Sequence, residues 1–131
     1  MLNHISIGVR SVAKAQKFYD AALKPLGYTR LSQSPGSLGY GDGAVTLWIS
    51  ETDRPVPADE KSGLHFCFDA PTRKSVDAFH AAALGHGGRD NGKPGVRADY
   101  DANYYAAFVL DPDGYRLEAY CGAGATPGRE G

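Results

Sequence analysis

Two histidines and one glutamate carry the clearest chemistry in this chain: His4, His65 and Glu118. Two neutral imidazoles and a carboxylate suit a divalent first-row metal with open coordination positions, Fe(II) above all, with Mn(II), Ni(II) and Zn(II) as alternatives. Such a metal could polarise a carbonyl or enolate oxygen, or hold O₂ and a diol-like substrate side by side. A plainer reading stands beside this one. A lone strand histidine is usually a hydrogen-bonded structural residue, and Glu118 has Arg116 close by in sequence as an ion-pair partner. What decides between them is whether the chain brings the three together.

The elements that would do so appear as a repeat. The segment from His4 to Leu23 overlays the segment from His65 to Leu84 without a gap, matching His4 with His65, Phe18 with Phe79 and Leu23 with Leu84. Chance likeness between two amphipathic units explains the matched alanines and leucines. It explains less well the matched histidines and the matched Ser11 and Thr72, both suited to cap a helix N-terminus. Each copy reads as a short alternating strand followed by a helix: Val12, Ala15, Phe18, Ala22 and Leu23 keep a helical period, as do Val76, Phe79, Ala83 and Leu84. Pro25 ends the first helix, and Gly85, Gly87 and Gly88 end the second. Strands and turns follow in both copies, with Asp42-Gly43 and Asp111-Pro-Asp-Gly114 as turn sequences. Duplication of one βαβββ module is the reading these features favour.

Strand alternation then sets the directions of the side chains. Ile5, Ile7 and Val9 should meet a helix, as should Phe66, Phe68, Leu117 and Ala119, which turns His4, His65 and Glu118 to the opposite face. Aligning the two Asp-Gly turns sets Leu47 opposite Glu118. Val45, Leu47 and Ile49 are then expected as an apolar wall of the cavity. Asn103, Tyr104, Tyr105, Arg116 and Tyr120 join Leu47 as candidate substrate contacts, although two adjacent tyrosines must point to opposite faces. Arg97 could bind an anion but reads more simply as solvated. His80 and His86 are expected at the surface or its boundary.

Composition sets the outer limits. A chain of 131 residues is long enough for one domain with a real core, and a net charge of −1 gives no reason to expect nucleic acid or an anionic membrane surface as partner. No stretch is apolar enough to span a membrane. The first residues run directly into a strand pattern, Leu2 to Val9, so a cytoplasmic location is the expectation. Cys67 and Cys121 are expected as free thiols, and neither has metal-finger spacing. One domain over residues 1–121 is expected, with module one at about 1–50, a polar linker at 51–62 and module two at about 63–121. Asn91 to Asn103 reads as a loop that could cover a site, and Gly122 to Gly131 as a disordered tail.

The strand His4-Ile-Ser-Ile-Gly-Val9, the helix Ala15-Gln-Lys-Phe-Tyr-Asp20, the Leu26-Gly-Tyr28 exit and Phe108-Val-Leu-Asp-Pro-Asp-Gly114 with Leu117-Glu118 resemble the vicinal oxygen chelate superfamily. This is the group of glyoxalase I, bleomycin-resistance proteins and extradiol dioxygenases. The resemblance covers Leu2 to Cys121. It implies an α+β fold of two paired βαβββ modules forming a cupped, eight-stranded mixed sheet with helices on its outer face. It also implies metal ligands from the first and last strands of each module, a small-molecule substrate and a homodimer. Carried over, the ligands are His4, His65 and Glu118, while Leu47 stands where glyoxalase I-like sites have a carboxylate. Shifting the alignment by one offers Thr46 or Trp48, neither a replacement ligand. The remainder suggests a three-ligand, metal-dependent lyase, isomerase or dioxygenase acting on a small oxygen-rich molecule. The alternative is a drug-resistance-like binding protein with a vestigial metal site.

Overall fold

A computed structural model describes residues 1–124 of the chain. Module one runs β1 (Ile5–Val9), α1 (Val12–Leu23), β2 (Thr29–Ser34), β3 (Ser37–Asp42) and β4 (Ala44–Glu51). Module two runs β5 (Phe66–Asp69), α2 (Arg73–Gly85), β6 (Arg89–Val96), β7 (Tyr105–Leu110) and β8 (Arg116–Cys121). Each module is one four-stranded mixed sheet, ordered β1-β4-β3-β2 and β5-β8-β7-β6. In each, the first strand pairs parallel to the last and the others pair antiparallel. The α+β fold of two repeated modules is therefore as expected, whereas one continuous eight-stranded sheet fits only loosely. The expected tail is described only as far as Gly124 and otherwise lies outside the described residues.

The helices start where their caps allow. Ser11 Oγ accepts from the Lys14 N–H at 3.2 Å, and Thr72 with Ser75 forms a reciprocal capping box. Neither helix has an acidic residue in its first turn. For α1 the negative charge arrives from elsewhere in the fold: Glu51 accepts from the Val12 N–H at 3.1 Å, and Asp113 accepts from the Arg10 N–H at 3.0 Å. Pro25 opens a 3₁₀ turn, Lys24–Leu26, which Gly27 closes with φ 93°.

Both modules share one core. Phe18, Tyr19, Ala22 and Leu23 of α1 and Val76, Phe79 and Ala83 of α2 are buried in the same cluster as the helix-facing strand residues of both sheets. Tyrosine hydroxyls stitch the seam. Tyr28 donates to the Asp69 carbonyl at 3.3 Å, and Tyr115 donates to the Gly8 carbonyl at 2.6 Å. Gly8 and Asp69 hold the same place in the repeat. Tyr19 in α1 donates to buried Asp111 at 2.5 Å, tying the first helix to the turn of the second module.

Two expectations need correction. Part of the supposed loop from Asn91 to Asn103 is β6, an edge strand in which Pro94 lacks no ladder donor that the sheet requires. The strand was hidden by glycines at its irregular pairings, Gly92 and Gly95. The second correction concerns register. Tyr40 pairs with Leu47, but Gly41 pairs with Val45, so Thr46 is an extra residue in β4. This bulge slips the turn-based alignment by one. Ile5 pairs with Leu47 as Phe66 pairs with Leu117, and Ser6 pairs with Trp48 as Cys67 pairs with Glu118. The counterpart of Glu118 is thus Trp48, and Leu47 faces the helices with Ile49; both are buried in the core.

Candidate functional site

The open face of module two is built by β5, β8, β7 and the turn that precedes β7. Cys67, Glu118 and Phe108 lie in one row across it, because they are register partners. Gly92 completes the row on β6, where a Cβ would come within 2.8 Å of the Phe108 ring. Leu117 and Ala119, on either side of Glu118, point into the core, and that alternation presents Glu118 to the open face.

Glu118 is only 4% exposed, so its charge must be met by other groups. Two side chains do this, one on each oxygen. His65 Nε2 lies 2.8 Å from Oε1, and the Tyr104 hydroxyl donates to Oε2 at 2.6 Å. The Tyr104 proton is held tightly: burial, the bond to Glu118 and the carboxylate charge all push its ionisation well above the ordinary tyrosine range. Cys67 stands beside the same carboxylate. Desolvation of its sulfur and the negative charge of Glu118 push the thiol up to about 12, so it is a poor nucleophile at neutral pH. Both cysteines are free, as expected.

Aromatic rings frame these polar groups. Tyr104 packs on Tyr120 with ring centroids 4.2 Å apart and meets Tyr100 edge-on at 4.8 Å. His65 sits 6.0 Å from the Phe108 ring, and the Arg97 guanidinium lies over the same ring at 5.2 Å. Arg97 also donates to the carbonyls of Gly95 and Lys93, at 2.7 and 2.6 Å. It is a placed residue of this face rather than a freely solvated one.

The sequence-derived residues divide cleanly. His65, Glu118, Tyr104 and Tyr120 come together, and Arg116 starts β8 on the same face. Tyr105 does not join them. It turns to the helix side, donating to Asp77 of α2 at 2.6 Å with the Arg73 guanidinium 5.1 Å from its ring. Asn103 is exposed in the turn, its N–H bonded to Asp101 at 2.8 Å. Leu47 borders a cleft of about 380 Å³ at the module seam, lined also by Leu2, Tyr28 and Cys67, instead of the open face. His4 is exposed and bonds Asn3 at 2.8 Å. His80 is more buried than expected and pairs with Asp90 at 2.9 Å, while His86 is exposed. Phe108 and Arg97's stacking were missed as site features. Phe108 could have been found from its spacing, two positions along β7 from Ala106 and Leu110, on the face opposite Ala107 and Val109.

A divalent metal needs at least three converging donors here, and the described residues bring together two, His65 and Glu118. Among the described residues no three His, Cys, Asp or Glu side chains form a group that could hold a metal ion. The position matching Glu118 in module one is Trp48, which has no donor for a cation. The donor set of the described residues therefore does not fit the metal that the fold suggests. A cavity of about 850 Å³ lies elsewhere, between the outer face of α1 and the end of α2, lined by Lys14, Lys17, Asp20 and His86 among others.

With the geometry in place, known proteins add the family. Comparison with curated proteins gives no match. A solved glyoxalase/bleomycin resistance protein from Albidiferax ferrireducens T118 is 32% identical, with a TM-score of 0.80 over 92% of this chain and 98% of that one. Two more distant structures share the fold. One is a glyoxalase/bleomycin resistance protein/dioxygenase family enzyme from Burkholderia phytofirmans PsJN, 17% identical, TM-score 0.70, covering 92% and 98% of the two chains. The other is a genomically encoded fosfomycin resistance protein from Listeria monocytogenes, 16% identical, TM-score 0.70, covering 94% and 93%. The family model matches residues 1–119. The chain belongs to the Glyoxalase/Bleomycin resistance protein/Dioxygenase superfamily.

Proposed function

We propose that the chain binds a small oxygen-rich molecule on the open face of module two, with His65, Glu118 and Tyr104 as its polar contacts. Phe108 and Tyr120 give the flat surface on which such a molecule would rest. The observation that carries this reading is the buried Glu118 carboxylate, held on its two oxygens by two different side chains that both reach the open face. Glu118 fixes His65 through Nε2–H, which leaves Nδ1 to accept from a ligand hydroxyl. A ligand hydroxyl arriving here meets acceptors already oriented, His65 Nδ1 and the Tyr104 oxygen, so little ordering is required on binding.

A second reading, a metal-dependent lyase, isomerase or dioxygenase, draws support from one distance. His65 Nε2 and Glu118 Oε1 stand 2.8 Å apart, and a cation could replace the proton between them. It requires a third donor from outside this pair, which is where the homodimer expectation enters. Metal analysis by mass spectrometry on tag-free protein, with light scattering for oligomeric state, separates the two. Binding of a catechol or a methylglyoxal–thiol adduct to metal-free protein, lost in His65→Ala and Glu118→Gln, supports the first reading. Near-stoichiometric metal lost in His4→Ala and His65→Ala, with no ligand binding in its absence, overturns the first in favour of the second.

A further inference from the structure

We infer that Arg116 makes this face selective for small molecules carrying an oxyanion, a carboxylate or a phosphate-type group, beside their other oxygens. The inference rests on the binding site proposed above and names the class of ligand it takes.

Leu117 is buried in the core and Leu110 pairs with Arg116, so Arg116 stands on the open face, two positions before Glu118. Extending the parallel β5–β8 register by one residue sets it beside His65. Neighbouring positions across a sheet lie about 5 Å apart, and those two residues along a strand about 7 Å. Arg116 is thus next to both groups of the His65–Glu118 pair. Its Nε is shielded from solvent and has no hydrogen-bond partner among the described residues. Glu118, the obvious acceptor, is already engaged on both oxygens by His65 and Tyr104.

A buried guanidinium nitrogen without an acceptor is costly, and the fork geometry of arginine matches a carboxylate or phosphate edge. The neighbouring cation on this face, Arg97, is spent largely on backbone carbonyls. Its charge nevertheless adds to a local field that favours an anion over a neutral molecule of the same shape. One end of the ligand would then rest against Arg116, while a hydroxyl of the ligand donates to His65 Nδ1 or to the Tyr104 oxygen.

The probes are pyruvate, inorganic phosphate and methyl pyruvate, titrated into the full-length protein with amide and aromatic chemical shifts as the readout. Pyruvate is expected to bind at least about tenfold more tightly than its methyl ester, the ratio a single charge-assisted hydrogen bond supports. Arg116→Gln should abolish that preference and leave ester binding within about twofold, while Arg116→Lys should retain part of it. Phosphate competing with pyruvate would assign the site to oxyanions in general; phosphate that does not compete would restrict it to carboxylates. Equal binding of acid and ester, or a preference that survives Arg116→Gln, overturns the inference while the binding site itself stands. If none of the three probes shifts His65 or Tyr104, both the binding site and the inference that rests on it are overturned. Arg97→Gln guards against a general charge effect: it should weaken pyruvate binding less than Arg116→Gln does.

Discussion

Adjacent tyrosines with opposite duties test how the site is built. Tyr104 donates to a carboxylate that is nearly sealed from water, whereas Tyr105 donates to Asp77 on the surface. Losing the donor to a buried charge costs about 1–3 kcal/mol, and losing an exposed one costs less. Tyr104→Phe is therefore expected to lower the urea midpoint clearly more than Tyr105→Phe; equal losses would contradict the assignment of faces. The strand alternation behind these directions was legible in the sequence, and it placed His65, Glu118 and Tyr120 on one face. Tyr105 could not be told from Tyr104 in advance, because alternation says that two neighbours diverge without saying which turns inward. His4 shows the other limit. Its place in the repeat matches that of His65, but the contacts of each residue depend on how two modules meet, and no spacing within either copy encodes that.

At the scale of elements, a single extra residue changes which side chain meets the core. With Thr46 bulged out of β4, Leu47 faces the helices and Trp48 faces away. Leu47→Ala should then cost about 2–5 kcal/mol by removing core volume, measured by denaturant unfolding, and should leave ligand binding at His65 and Tyr104 unchanged. The bulge also leaves no room at Gly41, where a Cβ would fall 1.8 Å from the Ala44 carbonyl oxygen. Gly41→Ala is expected to destabilise strongly or to reset the strand register, which would show as altered amide shifts throughout β3 and β4. An Asp-Gly turn is easy to see in a sequence; a bulge four residues later is not, since threonine suits a regular strand as well as an irregular one. That is why the turn alignment failed by one position while helix boundaries, marked by Ser11, Thr72 and Pro25, were readable.

At the scale of the molecule, both modules contribute to one core, so the described chain should unfold in a single transition followed equally by circular dichroism and by aromatic signals. Two separable transitions would mean the modules are independent. The contact of α1 with the second module's turn adds a pH dependence. Burial pushes the Asp111 carboxyl up to about 6, against the pull of its bonds from Tyr19, Tyr115 and Asp113. An acid whose ionisation is raised by folding binds its proton more tightly in the native state. Its contribution is fully present below about pH 4, where the unfolded chain is also protonated, and is lost as pH rises to about 6. Asp111→Asn removes this proton. Between pH 4 and pH 7 the stability difference should therefore move in favour of the variant, on the order of 3 kcal/mol. A difference that stays flat across that range would show that Asp111 titrates normally.

Trp48 is the chain's single tryptophan, and the bulge has set it, half-buried, on the open face of module one instead of in the shared core. Its fluorescence is therefore a natural beacon for one particular surface. Small molecules at His65 and Tyr104 should leave its emission almost untouched, because they contact the other module. Anything that docks onto the first module's face, a second copy of the chain included, should shift that emission towards the blue in proportion to the water it removes.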